Sequence, residues 1–152
     1  MNVDHSGFDT IFEEEKVEMK SRVTSYRDLI VWQRAIQLVE SVYHVTQNLS
    51  DSEKLAFAGH LNGAAVIIPA KIAEGWGRKN TKNYLQLLKT ARASLFTTET
   101  YIIVLKNVDR ISMEEEEKVL GLVDEVKKML NGLIKSLNNK LKTTTGSSSS
   151  NY

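Results

Sequence analysis

Residues 81–108 read TKNYLQLLKTARASLFTTETYIIVLKNV, and this stretch decides the fold class. Tyr84, Leu88, Ala91, Leu95, Thr98, Ile102 and Leu105 recur three and four residues apart, the spacing that gathers apolar groups on one face of an α-helix. Neither glycine nor proline interrupts the run, and Asn80 or Thr81 offers a polar cap for its exposed first turn. Leu85, Phe96 and Ile103 fall about 100° from the stripe at the helical rotation per residue, widening the apolar face beyond one core seam. That excess predicts a second contact surface, an oligomer interface formed by Leu85, Phe96 and Ile103.

The flanking sequence repeats the pattern. From Tyr26 to Leu49, the residues Leu29, Trp32, Ala35, Ile36, Val39, Val42, Tyr43 and Thr46 line a helix, with Ser25 and Asp28 resembling a capping box at its start. Asn48, Ser50 and Asp51 make a polar turn, and Ser50 with Glu53 opens a second helix carrying Leu55, Ala58, Leu61, Ala65, Ile68, Ile72 and Ala73. Pro69 lies inside that helix, where a missing donor and a steric clash predict a kink near Ala65–Pro69. Gly75 and Gly77 are expected to end it by supplying the backbone freedom of a tight connection. After residue 108, Ser112 and Glu115 form another capping box, and Glu114 to Glu117 occupy a first turn that the helix dipole makes favourable for acids. Val119, Leu122, Val123, Val126, Met129, Leu130, Leu133, Ile134 and Leu137 continue that helix, with Lys135, Lys140 and Lys142 near its end. Short connections make neighbours antiparallel, so the expected fold is all-α, an up-down-up-down four-helix bundle centred on Trp32, Leu61, Leu88, Leu95 and Leu130.

With 152 residues the chain suits one domain able to bury a core without staples. The absence of cysteine excludes disulfides, thiolate metal sites and a cysteine nucleophile. No uninterrupted apolar run approaches the roughly 18 residues of a membrane span, and acids stand where a signal peptide would be basic. The expectation is a cytoplasmic protein. Three divisions follow from composition: an acidic extension over 1–24 with a possible short helix at Phe8–Arg22, the bundle over 25–142, and a flexible polar tail over 143–152.

Little in the sequence recommends catalysis. His5, His44 and His60 lie in separate segments, and no glutamate has a histidine three residues later, as bundle di-iron sites require. Ser94 and Thr98 have no base beside them in the sequence to activate a hydroxyl. The glycines around Trp76 lack the spacing of a phosphate-binding loop, so an interhelical turn is the simpler reading. The chain is expected to be no enzyme and to need no cofactor or metal. Charge is more informative: Lys71, Arg78, Lys79, Lys82, Lys89 and Arg92 face Glu74 as the sole acid between residues 71 and 92. Lys82, Gln86 and Lys89 project opposite the core stripe with Arg92 beside them, Arg78 and Lys79 extend this edge into the turn, and Lys71 lies at its margin. Such an edge suits phosphates and equally suits solvent. Trp76 could cover the bundle end or stack on a base.

The stretches SYRDLIVWQRA at 25–35, Ile68-Pro69, IAEGWGR at 72–78 and YLQLL at 84–88 together resemble the bacterial four-helix-bundle proteins encoded within intervening sequences of large-subunit ribosomal RNA genes. That family is related to the accessory variability determinant of diversity-generating retroelements. The resemblance runs from about Ser25 to Asn107 and implies a four-helix bundle assembled as a homopentamer. In the retroelement branch it further implies binding of nucleic acid and of a reverse transcriptase through a basic surface. Where relatives read Gln-x-Arg-Arg-Ala, this chain has His60-Leu61-Asn62-Gly63-Ala64, two positive charges fewer, which implies weaker phosphate binding. Two functions are therefore expected in competition: a non-enzymatic oligomeric accessory protein for RNA or DNA, and a protein-interaction module without nucleic acid.

Overall fold

The computed structural model describes residues 23–146. Four long helices account for most of them: α1 (Ile30–Gln47), α2 (Asp51–Gly77), α3 (Thr81–Asn107) and α4 (Met113–Gly146). Connections of three to five residues force each helix to run back along the previous one. The helices α1 with α2, α2 with α3, α3 with α4 and α4 with α1 are in contact, which closes the four into a bundle around one core.

Chain chemistry accounts for most helix ends. Asn80 caps α3, its side-chain oxygen accepting from the Asn83 amide at 3.0 Å. Before α2, Ser50 and Glu53 make the reciprocal capping box, and Ser112 with Glu115 does the same before α4 at 3.1 Å in both directions. Ser25 and Asp28 also form a capping box, yet what they cap is a separate 3₁₀ turn, Tyr26–Asp28. The first long helix starts later, at Ile30, with Leu29 before it in extended geometry and no side-chain cap.

The core stripe on α1 is rotated from the sequence expectation. Of the expected stripe Ala35, Val42 and Thr46 are buried, and they are joined by Val31, Leu38, Ser41, Val45 and, just beyond the helix, Leu49, whereas Trp32 and Val39 pack on the core margin and Tyr43 is exposed. Both stripes obey helical spacing. The burial of aliphatic Val31, Leu38 and Val45 leaves Trp32 free to pack its ring at the end of the bundle. On α3 the expected stripe holds from Leu88 to Leu105, with Tyr84 partly buried. The expected positions Leu61, Leu88, Leu95 and Leu130 are fully buried.

Two features of α2 differ from expectation. Residues Lys54–Ala58 form a π-helical turn, whose wider winding changes the rotational phase. Leu55 consequently points to solvent, 90% exposed, while Phe57 packs against the core instead. α-Helical geometry then continues from Gly59 through Pro69 to Gly77, so Gly75 and Gly77 belong to the helix rather than to the turn. The turn that follows is made by Lys79, whose φ of 51° lies in the left-handed region. Gly75 is required for a different reason: a Cβ there would stand 2.6 Å from Cδ2 of Tyr84 on α3. At the other end, α4 continues to Gly146, past the start of the expected polar tail at residue 143. The acidic segment over 1–22 and the last residues, 147–152, lie outside the described part of the chain.

Candidate nucleic-acid interface

Six basic residues were expected to share one edge, and their surroundings divide them. Lys82 and Lys89 lie seven residues apart on α3, nearly two turns, which puts them on one side of the helix about 10 Å apart along its axis. Both are exposed, as is Lys79 in the connection just before, and none of the three forms an ion pair with another described residue. Arg92 follows on the α4 side, its guanidinium donating to the side-chain oxygen of Asn131 at 3.0 Å. Because Asn131 is neutral, Arg92 keeps its positive charge while being held in place.

Arg78 and Lys71 are differently occupied. The carboxylate of Glu74 accepts from Arg78 Nη2 and from Lys71 Nζ, each at 2.9 Å. These contacts, Arg78 first and Lys71 second, hold the Glu74 carboxyl below its ordinary pKa, so it stays ionised at neutral pH. One acid thus serves two of the six cations. A surface depression of about 220 Å³ lies between the end of α2 and the start of α3, lined by Arg78, Asn83, Gln86 and Leu87. Its lining offers one charge and two amides, a donor set that suits an anionic oxygen.

Aromatic residues close the same end of the bundle. The ring of Tyr26 meets Trp32 edge-on at 5.3 Å between centroids and Trp76 at 6.5 Å. Of the two roles open to Trp76, covering the bundle end is the one these contacts describe. Neither Asn62 nor Gly63 restores the charge missing from α2. The hydroxyl of Thr46 donates to Asn62 Oδ1 at 3.0 Å, tying α1 to α2, and Gly63 faces open space.

The three residues of the second expected surface are divided by their burial. Phe96 and Ile103 are exposed, 50% and 39%, whereas Leu85 is buried at 5%. Leu85 stands one turn before Leu88 and shares its inward face, so it is a core residue and no part of an interface. Sequence spacing missed the neighbours of Phe96: a cleft of about 520 Å³ lined by Phe57, Phe96, Thr97, Thr100, Tyr101 and Val104, with no charged residue. Lys127 on α4 places its ammonium 5.2 Å from the Phe96 ring centre while pairing with Glu99 at 3.3 Å. On α2, Leu55, Val66 and Ile67 add exposed apolar surface. By length and composition alone this helix is long enough and apolar enough to cross a membrane. Part of that composition is explained by the packing of Leu61, Ala65, Ile68 and Ile72 in the core.

Among the described residues no group of three histidines, cysteines or carboxylates is placed to hold a metal. His44 and His60 are exposed on different helices, and His5 lies outside the described residues. Thr98 is buried and donates to the carbonyl of Ser94 at 2.9 Å, the backward bond usual for a helical threonine.

No curated protein matches the chain. Among solved structures, a protein of unknown function from the S23 ribosomal protein family of Bacteroides thetaiotaomicron superposes with a TM-score of 0.66 at 19% identity, covering 70% of this chain and 99% of that one. At that identity the likeness concerns the fold. A family model described as 23S rRNA-intervening sequence protein matches residues 27–132, a span that takes in α1, α2, α3 and the larger part of α4. The chain belongs to the 23S rRNA-intervening sequence protein family.

Proposed function

We propose that this chain is a non-enzymatic, self-associating accessory protein that binds RNA or DNA through the edge of Lys79, Lys82 and Lys89, flanked by Arg78, Arg92 and Lys71. The observation that carries the reading is the freedom of the three lysines. They are exposed and unpaired among the described residues, although acids are plentiful elsewhere in the chain. Unpaired lysines along one helix side release counterions when they meet phosphates, a sequence-independent source of affinity. The family's description names a ribosomal RNA setting, which favours a nucleic-acid partner over an acidic protein. The resemblance to the retroelement accessory protein adds a reverse transcriptase as the protein it would assist.

Self-association belongs to the same proposal. Phe96, Ile103 and Val104 on α3, with Leu55, Val66 and Ile67 on α2, are large apolar residues left exposed, and Phe96 and Val104 line one cleft with Phe57 and Tyr101. A ring of copies, five by resemblance, would cover such surface and repeat the lysine edge around its circumference. Weak contacts per subunit then add up when one nucleic acid spans several. A protein-interaction module without nucleic acid is the competing reading, favoured by the uncharged cleft around Phe96.

Sedimentation with and without a mixed-sequence RNA or DNA, at several salt concentrations, tests both parts. The expected result is a multiple of 17.2 kDa that binds nucleic acid more weakly as salt rises, and Phe96→Glu is expected to dissociate it without unfolding. A monomer at all concentrations contradicts the self-association, and an oligomer without salt-dependent binding transfers the function to the interaction-module reading.

A further inference from the structure

Between α1 and α4 runs a furrow lined by polar groups that the rest of the described chain leaves unused. Gln37, Glu40, Ser41 and His44 stand three and four residues apart on α1 and so share one face of it, while Lys118 and Leu122 lie one turn apart on α4. Together they line a cleft of about 370 Å³, within the roughly 300 to 1,000 Å³ of small-molecule sites. Bonding capacity is left over at its polar groups. Ser41 is only 6% exposed, and its hydroxyl makes no hydrogen bond to another described residue. No side-chain oxygen sealed from solvent among the described residues lacks a partner, so the hydroxyl itself must be reachable, and the cleft that Ser41 lines is its opening. Gln37 is held by its neighbour: its Oε1 accepts from Arg34 Nη1 at 2.9 Å, while Arg34 Nε pairs with Glu125 at 2.9 Å. Both N–H donors of the Gln37 amide remain free.

Glu40 and Lys118 line this cleft with opposite charges and do not pair, either with each other or with any other described residue. Two unpaired charges of opposite sign, with neutral donors beside them, complement a molecule that carries both signs itself. We propose that this cleft binds a small zwitterion of the α-amino-acid type. Its carboxylate lies at the Lys118 ammonium, with the Ser41 hydroxyl and the Gln37 amide donating, and its ammonium lies at the Glu40 carboxylate. Leu122 offers apolar contact for the ligand's side chain. A simple anion leaves Glu40 unanswered and is repelled by it, and a simple cation meets the same obstacle at Lys118, so the cleft selects for both charges in one molecule. None of these residues belongs to the lysine edge, and the proposal stands apart from the nucleic-acid reading.

The test is equilibrium dialysis of the full-length protein against a mixture of the common amino acids, followed by amino-acid analysis of the two compartments. At least one amino acid is expected to be enriched with the protein. Calorimetric titration of that amino acid then compares the native chain with Glu40→Gln and Lys118→Gln, both changes at exposed side chains whose effect on the fold is checked by circular dichroism. Each is expected to weaken binding roughly tenfold, and Ser41→Ala several-fold, as the loss of one hydrogen bond to a charged group predicts. The deaminated and the decarboxylated forms of the same amino acid, each lacking one of its charges, are expected to bind weaker by a similar factor. Absence of enrichment for every amino acid overturns the proposal. Binding that both substitutions leave unchanged places the ligand elsewhere and also overturns it. A deaminated acid that binds as tightly as its parent overturns it as well, because the cleft is then no more than an anion contact at Lys118.

Discussion

Gly75 on α2 and the ring of Tyr84 on α3 are so close that a Cβ at residue 75 would lie 2.6 Å from Tyr84 Cδ2, and 3.3 Å from Cβ of Leu87. Gly75→Ala therefore sets two effects against each other. Alanine gains about 0.5 to 1 kcal/mol in a helix interior, and overpacking costs about 1 to 3 kcal/mol. The second is expected to win, leaving a net loss near 1 kcal/mol by chemical denaturation. At Gly121 and Gly132 on α4, where a Cβ meets nothing within 4 Å, the same substitution is expected to stabilise. In a Tyr84→Ala background the Gly75→Ala penalty should vanish, which separates the contact with the ring from any general intolerance of alanine.

Leucines at two positions on the sequence's apolar stripes should behave oppositely. Leu95→Ala removes a side chain with no exposed surface and is expected to cost about 2 to 5 kcal/mol. Leu55→Ala changes a residue that is 90% exposed and is expected to stay within about 0.5 kcal/mol. Urea midpoints at constant slope decide both, and a large loss at Leu55 would show that the π turn does not direct it to solvent.

Burial of the Tyr84 hydroxyl pushes its pKa up from 10.0 to about 12. The folded state thus holds this proton more tightly than the unfolded state. Its contribution is fully present below pH 10 and is lost as pH rises from 10 toward 12. Native protein and Tyr84→Phe compared by urea denaturation at pH 8, 9.5, 10.5 and 11 should diverge only above pH 10, the native protein losing more. Parallel stability curves across that range would mean that the hydroxyl is as well solvated folded as unfolded.

How much of this was legible in the sequence depended on whether the deciding contact was local. Asn80, Ser50–Glu53 and Ser112–Glu115 act within one turn, so their caps could be read directly, and the α3 stripe followed from a single long uninterrupted period. On α1, apolar residues occupy nearly every rotational position, and periodicity alone could not choose between Leu38 and Tyr43. The π turn at Lys54–Ala58 and the close approach of Gly75 to Tyr84 depend on how α2 packs, and local sequence carries neither. Of the basic edge, the sequence revealed the lysines. It did not reveal that Glu74 engages both Arg78 and Lys71, since either cation alone was a sufficient partner at helical spacing.

Whether charge along α3 contacts phosphate is measured directly by the salt dependence of nucleic-acid binding. For the native protein, the logarithm of affinity should fall linearly with the logarithm of salt concentration. Lys82→Glu with Lys89→Glu should reduce the slope by about one unit for each phosphate contact removed. Glu74→Gln should steepen it, because Arg78 and Lys71 lose the carboxylate that now occupies them. Both variants must be folded and keep the native protein's mass in solution for the comparison to hold. An unchanged slope in the double reversal, in a folded protein of native mass, would contradict the nucleic-acid function and mark the lysine edge as ordinary solvated helix.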